Sequence, residues 1–310
     1  MHKTPPPSPS RRWAKLLSLV MALALIATAC GSDDQAADGQ ADSETITIGA
    51  IPDQDPEILA RNYDQLAEYL SQETGLAVNF EPVTAYDAAV SAFRVGDLDI
   101  AWFGGLTGVQ ARLQVEGAEA FAQRDIDAEF TSVFIASADS DLEPFNSVDG
   151  LSDIAGRTLT FGSTSSTSGR LMPQFFLESA GVTLDDLDGD PGFSGAHDAT
   201  IALVSDGAFE VGALNSQVWR DRLEAGEVDT SQVKLLFETP TYFDYHWVSR
   251  PDVSDDAQQL IFDALASLDP NVPAEAELLD FFGTDGFIPT SNENYDSIED
   301  VGRSIGQIEE

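Results

Sequence analysis

Cysteine is almost absent: Cys30 is the only one in 310 residues, which excludes a disulfide framework and a cysteine-rich metal site. Histidine is nearly as scarce, with His2, His197 and His246 and no HExxH, so neither a zinc site nor a cofactor is expected. Basic residues are few as well, fifteen Lys and Arg against fifty-four Asp and Glu. A field of that sign repels nucleic acid and anionic lipid, so nucleic acid is excluded as a partner. It also suits a high-salt milieu, where screening shortens self-repulsion to a few ångströms; stability that stays level or falls at molar salt would count against that hypothesis. Beyond one N-terminal run, no apolar segment approaches the roughly twenty residues of a membrane-spanning helix.

That run belongs to a leader. MHKTPPPSPSRRWAK is basic and precedes an apolar stretch, Leu16 to Ala29, that ends in small residues at Cys30, the pattern of a signal peptide over residues 1–29. The surrounding LIATACGS, with Ala27 in place of the usual leucine, resembles the lipobox of bacterial lipoproteins. The resemblance implies that Cys30 is lipidated and becomes the membrane anchor. Arg11-Arg12 leaves both general and twin-arginine export open. Residues 30–43 are acidic, small and free of aromatics, and read as a disordered tether. Four of the basic residues (Lys3, Arg11, Arg12, Lys15) fall in the leader, which leaves eleven against fifty-four acids, a net charge of −43 for the exported chain. Its 281 residues from Cys30 onward suggest two domains of about 100 to 150 residues.

TITIGAI, Thr45 to Ile51, alternates apolar residues at period two and predicts the first strand. Asp55-Pro56 then starts a helix with an apolar stripe at Leu59, Tyr63, Leu66 and Leu70, and Gly75 stops it. Strands at Ala77 to Val83 and Leu98 to Phe103 flank a helix at Tyr86 to Val95, which completes a βαβαβ unit with a parallel sheet. After a strand at Thr131 to Ala136 the pattern restarts. Strands are expected at Thr158 to Phe161 and Val211 to Leu214, with helices at Leu171 to Ser179 and Thr200 to Asp206 between them. Val233 to Phe237 and Tyr245 to Ser249 read as later strands, and the tail as mostly helical, including Ala257 to Leu268. Two α/β units joined by two crossing segments leave a cleft between them. The loops after Phe103, Phe161 and Leu214, beyond the strands' carboxyl ends, are its candidate walls.

The segment FGSTSSTSGRLMP carries six consecutive hydroxyl residues, Ser163 to Ser168, between a strand and a helix. Amides at that helix start lack intrahelical partners, so the loop could hold an oxyanion; plain N-capping by Ser166 or Ser168 is the other reading. Arg170 and Leu171 after Gly169 rule out a P-loop. His197 precedes a helix-like run and could donate from a second helix start, or only flank a cap; His246, between Tyr245 and Trp247, reads as an outward-facing strand residue. A hydrolase could be assembled from Ser166 or Ser168, His197 and Asp244, although G-x-S-x-G is absent.

Several strings together resemble one known family. AIPDQDP, the segment from GDLDIAWFGG to Val109, FGSTSSTSG with MP after it, SGAHDAT, GALN and TPTYFDYHW occur in this order in the substrate-binding lipoproteins of phosphonate, phosphite and phosphate ABC importers. The likeness runs from about Thr45 to the C-terminus and is strongest to a branch assigned to selenate or related oxyanions. It implies a type II periplasmic-binding-protein fold, with lobe 1 at residues 44–135 plus 247–310 and lobe 2 at 136–246. It also implies a ligand clamped between the lobes, no catalysis, and delivery to a membrane permease with its ATPase on the extracytoplasmic side. By motif position the ligand residues would be Tyr86, Ser166, Thr167, Ser168, His197, Asp244 and Tyr245. Gly108, where relatives that bind phosphonate often carry tyrosine, Asn215, and Gln217, where aminophosphonate binders have a carboxylate, would set specificity. A simple oxyanion, or a ligand without an amine, is therefore expected. A ligand-sensing lipoprotein not coupled to transport is the remaining alternative.

Overall fold

The structure is a computed structural model that describes residues 45–309. The leader, Cys30 and the tether lie outside the described residues. Strand β1 (Thr45–Ala50) leads into helix α1 (Pro56–Thr74), whose first turn is capped by the Asp55 side chain accepting from the amides of Glu57 and Ile58. Pro56 takes the first helical position, where an amide N–H would have no partner, and Gly75 ends the helix at φ +74°, a conformation that costs glycine nothing. The expected stripe of Leu59, Tyr63, Leu66 and Leu70 is buried against the first sheet.

The chain continues through β2 (Ala77–Phe80), α2 (Tyr86–Val95), β3 (Ile100–Phe103), α3 (Gly105–Gln114), β4 (Glu119–Arg124) and β5 (Ser132–Ser137). Next come β6 (Leu159–Phe161), α4 (Met172–Ser179), β7 (Gly192–Phe193), α5 (His197–Ser205), β8 (Val211–Asn215), α6 (Ser216–Glu224), β9 (Val233–Glu238) and β10 (His246–Ser249). The last elements are α7 (Asp255–Ala266), α8 (Pro273–Phe282), β11 (Phe287–Pro289) and α9 (Asp296–Ser304).

The described residues form two sheets, ordered β11-β4-β10-β3-β1-β2 and β7-β6-β8-β5-β9. Each contains a parallel triple, β2-β1-β3 in one and β7-β6-β8 in the other, so the restart read from the sequence is a true repeat of architecture. Beside each triple lies one antiparallel strand delivered by a crossing of the chain: β10 pairs with β3 and β4, and β5 with β8 and β9. The crossings themselves, 125–131 and 239–245, run side by side. Phe130 and Tyr242 exchange backbone hydrogen bonds of 2.9 Å, and the Asp244 amide donates to the Asp127 carbonyl at 3.1 Å. Position 135, expected as the end of the first lobe, falls inside β5, and the second expected boundary falls inside β10. Alternation of apolar residues marks a strand but not the sheet it joins.

Three further differences have physical causes. The second strand stops at Phe80, short of Val83, because Pro82 cannot donate to a ladder. Helix α3 was not anticipated, since Gly105 and Gly108 each disfavour a helix by about 1 kcal/mol relative to alanine. His246 does not face outward: it is fully buried in β10 and stacks on Tyr295 with ring centroids 3.7 Å apart.

Candidate functional site

The carboxyl ends of β1, β3, β6 and β8 converge where the two crossings pass between the sheets. From β6 the chain turns at Gly162, whose amide donates to the Gly169 carbonyl at 2.9 Å, and enters a single π turn, Thr167–Leu171, before α4. Ser166 caps that turn, its Oγ accepting from the Gly169 amide at 2.9 Å. The capping reading is thus correct for Ser166, while the amides of Thr167 and Ser168 lie ahead of the first π repeat with no partner inside it. Glycine is needed at 169: a Cβ there would stand 3.0 Å from Ser166 Oγ and 3.1 Å from His197 Cε1. From below, Ser132 Oγ donates to the Ser168 carbonyl at 2.7 Å and lies 2.6 Å from the Tyr242 hydroxyl, which pins the loop to β5 and to the second crossing.

The start of α3 meets this loop from the other sheet. The Leu106 amide donates to Thr167 Oγ1 at 2.8 Å, and the Gly105 amide donates to Asp244 Oδ1 at 2.9 Å. Gly104 makes that approach possible, since a Cβ on it would stand 3.1 Å from Thr167 Oγ1 and 3.2 Å from Asp244 Oδ1. Asp244 Oδ2 is buried and has no partner, and Tyr86 Oη, on the first residue of α2, is in the same condition. Burial pushes the Asp244 carboxyl up to about 7, against the pull of the Gly105 amide and with Asp127 adding to the rise. Burial likewise raises the Tyr86 phenol well above its usual range, so it stays a neutral donor.

His197 opens α5, and its amide donates to the Asp53 carbonyl at 3.0 Å, another bond from one sheet's elements to the other's. Its ring nitrogens are assigned by their neighbours. Nδ1 faces the Asn215 amide at 3.3 Å and must accept, so the proton is on Nε2, which donates to the Tyr245 hydroxyl at 3.2 Å. Burial holds the imidazole neutral, with its pKa pushed down to about 3. Tyr245 Oη also accepts from Asn215 Nδ2 at 3.0 Å, which leaves its own proton to be donated. Asp53 rises to about 6 through burial, with Tyr245 and then Arg124 holding it back.

Tyr86, Ser166, Thr167, Ser168, His197, Asp244 and Tyr245 are therefore all buried in one place. The expected specificity positions divide. Asn215 caps α6, its Oδ1 accepting from the amides of Gln217 and Val218, and still reaches Tyr245. Gln217 accepts from Arg124 Nη1 and donates to the Phe282 carbonyl at 2.9 Å. At Gly108 a Cβ would stand 2.3 Å from His246 Nε2, so the imidazole fills the space a side chain at 108 would use. Asp53, Gly104 and Arg124 were missed, although Asp53 follows β1 directly and the rule that ligands sit beyond strand ends points to it.

A hydrolytic triad is not assembled. Neither nitrogen of His197 meets a serine or a carboxylate, and Asp244 spends Oδ1 on the Gly105 amide. What the arrangement offers is neutral donors, namely amides, hydroxyls and the Tyr86 phenol, beside the Asp244 carboxyl, which is half protonated near neutrality. Such a set suits a small, multiply charged oxyanion that brings its own acceptors.

Known proteins agree with this chemistry. The family described as ABC transporter, phosphonate, periplasmic substrate-binding protein matches residues 48–295. The probable ABC transporter phosphite binding protein PhnD1 of Prochlorococcus marinus (strain MIT 9301) is 42% identical over 270 residues, 86% of this chain and 91% of that one. The phosphate-import protein PhnD of Mycolicibacterium smegmatis is 29% identical over 240 residues, 73% of each chain. The structure of PhnD1 in complex with methylphosphonate superposes with a TM-score of 0.82 and covers 86% of this chain and 99% of its own. The two-lobe fold is thereby shared, and the family's periplasmic character agrees with the expected extracytoplasmic location. By sequence and fold, the chain belongs to the periplasmic phosphonate-binding family of ABC-transporter substrate-binding proteins, whose members bind solutes and are not enzymes.

Proposed function

We propose that the cleft binds a phosphonate or phosphite as its oxyanion, with phosphate and selenate as tetrahedral competitors. The observation that carries this reading is the pairing of two buried, partnerless polar atoms, Asp244 Oδ2 and Tyr86 Oη, with the free amides of Thr167 and Ser168 at a helix start. Ser166, Thr167 and Ser168 supply hydroxyls, His197 and Tyr245 hold each other in register, and Asp244 matches the ligand's protonation state. The names of the relatives, phosphite binding and phosphate import, and the methylphosphonate held by the solved one point the same way. Gln217 offers no carboxylate to an amine, which favours ligands without one.

Bonds between the elements of the two sheets, His197 to Asp53 and Leu106 to Thr167, with Gly105 to Asp244 fixing the second crossing beside them, correspond to a closed arrangement about the paired crossings. Ligand would shift an existing open and closed equilibrium toward it. Delivery then passes to a permease and its ATPase, with Cys30 as the lipid anchor. A thermal-shift series with methylphosphonate, phosphite, phosphate and selenate tests the ligand: a tight binder raises the melting temperature by mass action, and no shift with any of the four sinks the reading. Mass spectrometry of the N-terminal peptide tests the anchor, and an unmodified Cys30 in the membrane fraction would refute it.

A further inference from the structure

Arg124 ends β4, and its guanidinium lies inside the molecule among three aromatic rings. Its central carbon is 5.5 Å from the ring centre of Trp102, 5.4 Å from that of Phe130 and 4.8 Å from that of Tyr245. Its donors are spent on the protein. Nε and Nη2 hold Asp127 with two prongs of 2.8 and 2.6 Å, while Nη1 donates to the Phe282 carbonyl at 2.7 Å and to Gln217 Oε1. Four of the five guanidinium N–H groups are thereby engaged, so Arg124 is poorly placed to grip an anion directly. It is still close to the site, because the ring it lies against belongs to Tyr245, whose hydroxyl end is bonded to His197 and Asn215.

A cluster of aromatic faces is a receptor for an organic cation. Here a cation of the chain itself fills it. We propose that Arg124 is a specificity-determining residue: its fixed guanidinium occupies the aromatic enclosure beside the oxyanion site and excludes phosphonates whose substituent ends in an ammonium group, while short neutral substituents remain acceptable. The inference rests on the oxyanion reading and deepens it. An ammonium would find the aromatic faces taken by the guanidinium and the counter-charge, Asp127, already held by it with two prongs, so it would meet the like charge with no carboxylate of that pair open to it. The acceptors that touch the guanidinium are committed, since Gln217 gives its oxygen to Arg124 and its amide to Phe282, and both Asp127 oxygens are held by the guanidinium. Desolvating an ammonium without a partner adds to the penalty.

Titration calorimetry with ethylphosphonate and aminomethylphosphonate tests this, because the two match in size and differ in the charge at the chain end. The wild-type protein is expected to favour ethylphosphonate by at least about thirtyfold, and the double variant Arg124→Met with Asp127→Asn to lose at least about tenfold of that preference. Arg124→Lys, which keeps the cation, is expected to keep it. An unchanged ratio in the double variant overturns the proposal, as does a ratio lost equally in Arg124→Lys, which would make packing the cause. Wild-type protein that takes methylphosphonate but rejects the other two alike also overturns it, since size would then discriminate. If the double variant shows no cooperative melting, Gln217→Glu serves instead: a carboxylate set against the guanidinium should cut the ratio at least about threefold, and an unchanged ratio refutes the inference. Failure of methylphosphonate to bind wild-type protein would count against the oxyanion reading itself, not against the role of Arg124 alone.

Discussion

Asp244 takes the Gly105 amide on one carboxylate oxygen at 2.9 Å and leaves the other, equally buried, without a partner. The first oxygen ties the second crossing to the start of α3, and the second is available to a ligand. Because the carboxyl is raised to about 7, it donates a proton below that pH and only accepts above it.

The sign of its effect on stability follows. A carboxyl whose folded pKa lies above its unfolded value of about 3.9 stabilises the fold most below that value, and the contribution is lost as pH rises toward 7. His197 and His246, both pushed down to about 3, work in the opposite sense: their contribution is full above about 6.5 and is lost as pH falls toward 3. In the wild-type protein the two trends partly cancel. Comparing Asp244→Asn with wild type isolates the carboxyl. The variant should gain stability relative to wild type at pH 8, and the gap should narrow on going to pH 5 by up to about 1.4 kcal/mol per unit. Urea unfolding at the two pH values reads this, and a gap independent of pH would refute the assignment.

Gly104 decides how closely α3 approaches the hydroxyl loop. Gly104→Ala would set a methyl 3.1 Å from Thr167 Oγ1 and 3.2 Å from Asp244 Oδ1, tight enough to displace both. Loss of one or both of the hydrogen bonds made there, Leu106 to Thr167 and Gly105 to Asp244, should weaken methylphosphonate binding about 5- to 30-fold. Backbone dihedrals at this position suit alanine, so the unliganded melting temperature should change little. Calorimetry showing wild-type affinity would mean that this approach is not part of binding.

Gly108 behaves as a core position. Gly108→Tyr is expected to destabilise the protein by at least about 3 kcal/mol, because its Cβ alone would overlap His246. Adding His246→Ala should recover part of the loss. A stable Gly108→Tyr protein with altered ligand preference would return this position to the pocket wall.

These particulars show where the amino-acid sequence speaks and where it is silent. Asp55, Pro56 and Gly75 bound α1 by local chemistry alone, and the period-two run at Thr45 to Ala50 needs no partner to be read as a strand. The hydroxyl loop was legible because a strand, six hydroxyl residues and a helix follow one another in the chain. Helix α3 was not, because its glycines oppose helix locally and its place is set by packing under β10 and against Thr167. Sheet membership of β5 and β10 was hidden for a related reason: a strand that follows a crossing of the chain carries no local mark of its destination. Arg124 is a lone basic residue with no pattern around it, and only the folded enclosure of Trp102, Phe130 and Tyr245 gives it meaning.

The central claim, that the hydroxyl loop and its helix start hold a phosphonate-type oxyanion, is tested most directly by calorimetric titration of methylphosphonate into wild-type protein and Thr167→Ala/Ser168→Ala. Each hydroxyl bonded to a charged ligand contributes about 1.5–3 kcal/mol, so the double variant should bind at least about 100-fold more weakly while keeping a cooperative melting transition. Equal affinity in the two folded proteins would contradict the account.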